Sequence, residues 1–353
     1  MGMFLAQPAT RRLLLQPSRE RLALWDYSTK SLVWELDPGI RAPVIRAACL
    51  SPDDRSLLLT SHADENHAVL VWDRESGKVV RRLPGLHEGD VRRMCFLPDG
   101  HRFVTAAADG YAMVWDLTRP EGEELVGYFD GHVQPSGAVP LMSLAVSPDG
   151  KMALTGDVDG YAVLWDIESC KGDERPSGRI LHRFPRVMSV HRPTGAVSYS
   201  VHAGSGQMTR HEDTEHRGAQ IWAVTFFPDG NRVVVADFDR FVRVFDVQSG
   251  NEVARHEQPM PPGADDRVLS TLVLCSKDVA ASPDGRYVLV ACQPQPRLWD
   301  LKTGKVQELV GHMQTHPNAR GQPGGVHSVA FSLDGRFAIT GGEDGTIRLW
   351  RLP

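Results

Sequence analysis

The sequence predicts an all-β protein built from repeated four-stranded antiparallel units, and three observations carry that prediction. The first is the stretch from Leu144 to Asp166, which reads as three short strands joined by two tight turns. Ser147-Pro148-Asp149-Gly150 is turn chemistry, since proline sets φ and glycine accepts φ > 0, and Asp159-Gly160 makes the second turn. Lys151 to Thr155 and Tyr161 to Trp165 are apolar without helical spacing, so an antiparallel meander follows. The second observation is a recurring distance: 17 residues separate Pro148 from Trp165, Pro8 from Trp25, Pro98 from Trp115, Pro228 from Phe245 and Leu333 from Trp350. Pro52 to Trp72 spans 20, with an insertion around Ala63 to His67, and Pro283 to Trp299 spans 16. The third is the 80-residue gap from Trp165 to Phe245, about two units long, into which Arg192-Pro193-Thr194-Gly195 places a hidden turn. A period of roughly 40 to 55 residues with four strands per unit predicts a β-propeller, here of eight blades. Seven blades with an irregular insertion is the alternative.

Taken in order, the repeats fall near 1–40, 41–86, 87–133, 134–184, 185–217, 218–258, 259–310 and 311–353, one propeller domain over 1–353. Repeat one has only Gly2 to Ala6 ahead of its turn proline, enough for one inner strand, followed by Arg11 to Gln16, Leu22 to Trp25 and Leu32 to Leu36. Repeat five departs most, with Ser200, Gly204 and Arg210 where other repeats carry threonine, aspartate and tryptophan, and repeat six has Val235 and Phe245. Repeat eight supplies Val326 to Phe331, Phe337 to Thr340 and Thr346 to Leu349 and then ends, so the seam blade lacks one strand. Either the chain is one domain of something longer or multi-subunit, or the seam is left open. Turns such as Asp99-Gly100, Ser76-Gly77, Ser249-Gly250 and Thr303-Gly304 trim one face. The insertions His62 to His67, Gly131 to Pro140, Pro259 to Leu274 and Met313 to Gly325 emerge on the other, with Glu168 to Ser177 as the exception.

The strand-ending pairs Trp25-Asp26, Trp72-Asp73, Trp115-Asp116, Trp165-Asp166 and Trp299-Asp300, with Gly131-His132, Gly311-His312 and the variant Gly85-Leu86-His87, resemble the WD40-repeat family across essentially the whole chain. Six of the eight tryptophans occupy this one slot. The resemblance implies three buried hydrogen-bond sets: His87, Thr105, Asp109 and Trp115; His132, Thr155, Asp159 and Trp165; and His312, Thr340, Asp344 and Trp350. Elementary physics agrees, because a buried imidazole and carboxylate are tolerable only when paired and an indole N–H needs an acceptor.

Composition narrows the function. Lysine and arginine number 39 against 44 acidic residues, and the pairs Arg11-Arg12, Arg81-Arg82 and Arg92-Arg93 are scattered, which disfavours nucleic acid as a partner. The five cysteines, Cys49, Cys95, Cys170, Cys275 and Cys292, have no paired spacing and read as small core residues of a reducing, cytoplasmic compartment. No run of about 20 apolar residues is present, so no membrane span is expected.

Chemistry finds little purchase. His211-Glu212-Asp213-Thr214-Glu215-His216, near His182, His191 and His202, is the densest group of ligand-type side chains, but its histidines stand five apart in predicted strand and loop, and a solvated loop is the simpler reading. Neither a catalytic triad nor a phosphate loop can be argued. Quinone-dependent dehydrogenases are the rival propeller class, but their docking tryptophan has one counterpart, Trp34 after Asp26-Tyr27-Ser28-Thr29-Lys30. No cofactor or metal is expected, and the reading is a non-catalytic scaffold for a protein partner.

The expected partner surface starts from the slot six residues before each turn proline, where inner strands emerge beside the channel: Arg46, Arg92, Met142, Val187, Trp222, Lys277 and His327. By resemblance, the position before the second-turn aspartate adds Phe238 and Glu343. Trp222 also suggests itself, because it stands outside the strand-ending slot and hot spots are enriched in tryptophan and arginine. The competing role is that Trp222 caps the core of a blade whose own strand ends in Phe245.

Overall fold

The two turn sequences of each repeat fold the chain into short antiparallel meanders in the order the spacing predicts. The computed structural model describes residues 12–18, 21–26, 28–29, 31–36, 45–61, 67–134, 137–170, 177–185, 197–201, 208–212, 219–238, 240–259, 277–293, 295–312, 325–342 and 344–352. Seven sheets of three or four strands follow in chain order, here lettered A to G. Sheet A holds Arg12–Ser18, Arg21–Asp26 and Ser31–Leu36. Sheet B holds Ile45–Leu50, Ser56–Ser61, Val69–Asp73 and Lys78–Arg82. Sheet C holds Val91–Phe96, Arg102–Ala107, Ala112–Asp116 and Leu125–Phe129. Sheet D holds Leu141–Val146, Met152–Asp157, Ala162–Asp166 and Arg179–Arg183. Sheet E holds Ile221–Phe226, Arg232–Asp237, Phe241–Asp246 and Glu252–Glu257. Sheet F holds Asp278–Ala281, Tyr287–Ala291, Arg297–Asp300 and Val306–Glu308. Sheet G holds Val326–Phe331, Phe337–Gly342 and Ile347–Arg351. No described helix is long and apolar enough to cross a membrane.

The first turn of each meander is locked in one of two ways. In sheets B, D, F and G a serine hydroxyl donates to the aspartate two residues on, as from Ser147 to Asp149 at 2.6 Å, and accepts a backbone N–H from the returning strand, as from Met152 at 2.9 Å. In sheets C and E that serine is replaced by the fully buried Leu97 and Phe227. An arginine three residues after the aspartate then takes over: Arg102 Nε donates to Asp99 at 2.6 Å and Arg232 Nη2 to Asp229 at 3.0 Å. Each lock presents an acceptor to backbone donors that the turn leaves without a ladder partner.

Successive sheets pack face to face and share their cores. Apolar side chains of A meet those of B around Leu24 and Leu57, and B meets C around Leu58 and Phe103. C meets D around Phe129 and Trp165, whose rings stack 4.7 Å apart and 6° from parallel. E meets F around Phe227 and Trp299, and F meets G around Leu289 and Phe331.

The junction of D and E corrects the blade count. Phe184 of D lies 4.6 Å from Phe245 of E, Ser143 Oγ donates to Ile221 O at 2.9 Å, and His182 Nε2 donates to Gln248 O at 3.1 Å. A side chain at Gly156 would strike Ile221 at 2.4 Å, so the sheets approach closely enough to require glycine there. No interval remains for a blade between them. The described strands of repeat five instead form a two-stranded hairpin, Val197–Val201 with Met208–Glu212, that pairs Tyr199 with Arg210. The described succession is therefore the seven-sheet alternative and not eight. Its expected turn at Arg192 to Gly195 lies outside the described residues, as do Val187, Gly204 and the first strand expected at Gly2 to Ala6. Sheet G has three described strands.

Truncating the D–E contact provides a test of this order. Phe184→Ala should lower the unfolding free energy by about 3 kcal/mol, the cost of deleting a buried phenyl ring from a shared core. Urea denaturation reads the change, and a loss under about 1 kcal/mol would mean that D and E do not share one.

Candidate partner-binding site

The face of interest is held by the turns between second and third strands. In sheet C the Trp115 indole donates to Thr105 Oγ1 at 3.0 Å, Thr105 Oγ1 lies 2.7 Å from His87 Nε2, and His87 Nδ1 lies 2.8 Å from Asp109. With the ring proton on Nδ1, the threonine hydroxyl donates to Nε2 and the imidazole donates to the carboxylate, so every member is satisfied. Burial works to raise the Asp109 carboxyl, but the His87 hydrogen bond, with the backbone N–H groups of Tyr111 and Glu88, outweighs it and holds the group below its ordinary value. Sheet G repeats the set, with Trp350 to Thr340 at 2.9 Å, Thr340 to His312 at 2.7 Å and His312 to Asp344 at 3.0 Å.

Sheet D departs from the expected set twice. His132 Nδ1 meets Asp157 at 2.7 Å, not Asp159, which donates its own N–H to Asp157 at 2.9 Å. Asp157 ends its strand 1% exposed, so its carboxylate already fills the space where Asp109 reaches in from the turn. Trp165 Nε1 finds no acceptor among the described residues. Thr155 Oγ1 is committed to His132 at 2.9 Å and Val163 O at 3.4 Å, and stacking on Phe129 sets the indole plane. Sheet E uses the same earlier carboxylate: Asp237 Oδ1 accepts from Phe241 N at 3.0 Å, as Asp157 Oδ1 accepts from Tyr161 N at 2.8 Å, and Arg243 replaces the histidine as its ion-pair partner. Asp239 lies outside the described residues. The missed pair had a sequence signal, since Asp157 and Asp237 each stand eight residues before the strand-ending aromatic. Arg240 occupies the turn-glycine slot at φ 77°, where glycine is the usual residue, and its buried guanidinium binds Glu257 at 2.7 Å and Gln258 O at 3.1 Å.

The inner-strand slot brings two pairs of the expected surface residues into contact. Arg92 Nη1 contacts Met142 Sδ across the C–D junction, and Lys277 Nζ lies 3.1 and 3.2 Å from the two ring nitrogens of His327 across the F–G junction. Trp222 rests against Phe238 with centroids 6.3 Å apart, and neither ring belongs to the cores on the two sides of sheet E. The indole N–H of Trp222 is buried without an acceptor among the described residues. Arg46 stands at the matching register of Ile45–Leu50, its side chain outside the described residues, and Glu343 is outside them altogether.

One step deeper, Arg93 of sheet C and Asp278 of sheet F sense each other's charge from separate inner strands. Burial pushes the Asp278 carboxyl up to about 6, against N–H donation from Val329 at 3.0 Å, the Arg93 charge and the Val279 N–H. The folded chain thus holds this proton more tightly than the unfolded one, so stability from Asp278 is full below the ordinary carboxylate range and falls as pH rises through about 6. Asp278→Asn should flatten that fall, read as unfolding free energies between pH 4 and 7; an unchanged slope would place the carboxylate in solvent.

His182 binds a backbone carbonyl, His211 and Glu212 lie on the hairpin with side chains outside the described residues, and Asp213 to His216 lie outside them. Among the described residues no group of three or more His, Cys, Asp or Glu could hold a metal. The turn after Asp26, weighed for the rival quinone class, is an aspartate lock: Asp26 accepts Ser28 N at 2.8 Å and Thr29 N at 3.1 Å, as Asp73 accepts Ser76 N and Asp246 accepts Ser249 N, both at 2.8 Å.

Four-stranded antiparallel sheets in succession, each sharing its core with the next around common inner strands, define a β-propeller. The pattern of WD40 (WD domain, G-beta repeat) matches residues 77–116, 123–166, 208–246 and 307–351, and the chain belongs to the WD40-repeat β-propeller family. Over 346 residues it is 22% identical to guanine nucleotide-binding protein subunit beta of Solanum tuberosum, covering 95% of this chain and 78% of that protein. A 71-residue stretch is 32% identical to Target of rapamycin complex subunit LST8-1 of Arabidopsis thaliana, covering 20% of this chain and 21% of that protein. A chain in a crystal structure of the mitotic checkpoint complex superposes with a TM-score of 0.68 at 17% identity, over 99% of this chain and 86% of that one.

The corrected set in sheet D separates two carboxylates. Asp157→Ala should cost about 1 to 3 kcal/mol by stranding His132 and the turn N–H groups. Asp159→Ala should cost under about 1 kcal/mol. Thermal melts of both variants decide, and the reverse ranking would restore Asp159 as the histidine's partner.

Proposed function

We propose that this chain is a non-catalytic scaffold that holds a protein partner on its insertion-rich face, around the mouth formed by the inner strands. The observation that carries the reading is the Trp222–Phe238 pair, two partly buried rings at the mouth that belong to neither core of their sheet. The unit's core is filled without them, since Phe245 is buried and packs on Phe184. That supports a role for Trp222 other than capping a core. A large amphipathic side chain at the same inner-strand slot as Arg92, Met142, Lys277 and His327 has the composition of an interface hot spot. The names of similar proteins, subunits or members of complexes, support an assembly role. The thiols of Cys95, Cys170 and Cys292, buried as small core residues, support a reducing, cytoplasmic setting.

Affinity capture from the native host, with wild type and variants side by side, tests the reading. Trp222→Ala and Arg92→Ala should each weaken retention of the wild-type partner severalfold, a loss of about 1 to 2 kcal/mol, with the melting temperature nearly unchanged. A lowered melting temperature with undiminished capture would return Trp222 to a structural role.

A further inference from the structure

We propose that a recess on the trimmed face, between the first turns of sheets D and E, receives an arginine side chain of a protein partner. The inference does not rest on the mouth: Leu141–Val146 and Ile221–Phe226 carry Met142 and Trp222 at one end and run into Pro148 and Pro228 at the other, where the recess lies. It measures about 440 Å³ and is lined by the apolar Pro148, Met152, Pro228 and Val247 and by the polar Asp149 and Asn231. Met152 and Val247 also pack on the core that D and E share, so these walls are fixed by the fold.

The chain itself shows what fills such a place. The residue three after the turn aspartate is Arg102 in sheet C, Met152 in D and Arg232 in E. Both arginines cross to the next sheet: Arg102 Nη1 donates to Glu168 of D at 2.7 Å and Arg232 Nη2 to Gly285 O of F at 3.0 Å. Met152 has no donor, so the D–E junction keeps the space without the guanidinium. The acceptor that Arg232 finds has a counterpart here. Gly285 and Gly230 occupy the same turn position, both at φ 69° and each with its N–H bonded at 2.9 Å to the carbonyl of the residue ahead of the proline. Gly230 O therefore matches Gly285 O, and no described residue donates to it.

Asp149 supplies the charge. Its Oδ1 accepts the Ser147 hydroxyl at 2.6 Å and Lys151 N at 3.1 Å, which leaves Oδ2 without a partner among the described residues. Burial works to raise this carboxyl, but the Ser147 hydroxyl, the Lys151 N–H and the Lys151 charge hold it below its ordinary value, so it is ionised at neutral pH. Asp229, by contrast, is occupied by Arg232 Nε at 3.2 Å and Nη2 at 3.0 Å. A carboxylate oxygen and a carbonyl beside apolar walls suit arginine better than lysine. The planar guanidinium offers several donors in fixed directions and its stem covers apolar surface, whereas an ammonium is a compact, strongly hydrated point charge. The net charge of −5 favours a basic partner segment as well.

Selection from a displayed library of random short peptides on the full-length protein, with counter-selection against Met152→Arg, tests the proposal. That variant places a guanidinium in the recess from within, as sheets C and E do, so counter-selection retains only peptides that need the recess open. A lowered melting temperature of Met152→Arg would shift the counter-selection to Asp149→Asn. Enriched sequences should carry arginine. In the best synthetic peptide, replacing that arginine by lysine or by uncharged citrulline should weaken binding at least about tenfold. Asp149→Asn, which keeps an acceptor for the Ser147 hydroxyl and Lys151 N, should weaken it severalfold, and Trp222→Ala should leave it unchanged. Failure to enrich any sequence, enriched sequences without arginine, equal binding of the lysine peptide, or indifference to Asp149→Asn would each overturn the proposal. Binding lost on Trp222→Ala and kept in Asp149→Asn would place the peptide at the mouth and overturn this inference alone.

Discussion

No sheet of this protein owns a core, and everything else depends on that constraint. A radial sheet has two faces to cover, so the side chains of each strand divide between the neighbour before and the neighbour after. Trp165 of sheet D packs with the side chains of C, while Leu164, its neighbour in sequence, packs with those of E. Alternation along a strand is the physical source of this division, since successive side chains leave opposite faces. The burial pattern of the third strands, nearly continuous until the final aspartate, records it. Cohesion is thus nearest-neighbour in character, as in other repeat architectures.

Polar interactions sit where they extend this cohesion. Arg81 of sheet B reaches Leu117 O at 2.9 Å, Arg102 of C reaches Glu168 at 2.7 Å, and Arg232 of E reaches Gly285 O at 3.0 Å. The excursion between the third and fourth strands of sheet D does the same on the outer side of C, where Gly178 N donates to Tyr128 O at 2.9 Å and Ser177 Oγ to Asp130 at 2.6 Å. That accounts for the one insertion expected on the trimmed face. In sheet F, amides stand in for the histidine and aspartate of other sheets. Gln295 accepts Gly311 N at 3.1 Å and His312 N at 3.2 Å, and donates to His312 O at 2.9 Å.

Much of this was legible in the residues because turn chemistry is local. The Ser-Pro-Asp-Gly turns and the strand-ending tryptophans announce the strands and their order, and the sets in C and G follow from them. The blade count was not legible, because it depends on which sheets touch, and the decisive contact between Ser143 and Ile221 joins residues 78 apart. Pro193 and Arg210 match the spacing, but spacing cannot tell a strand pair packed between sheets from one set apart. The choice between Asp157 and Asp159 failed for a subtler reason. Both flank the same turn, and only the depth of burial at the strand end decides which carboxylate reaches His132. For Trp222 the sequence could single out the side chain but not where it rests.

The direct contact of D with E has an evolutionary side. Phe184 and Ala219 bracket the segment that carries the hairpin, and both belong to the one core that D and E share. The two stems of that excursion are therefore clamped by the ring itself. Because the entropic cost of closing a loop rises only logarithmically with its length, such a segment can grow, shrink or be exchanged at little thermodynamic cost to the rest. It is a natural grafting point, a cassette position at which relatives of this chain can acquire new surface without renegotiating the packing that makes them fold.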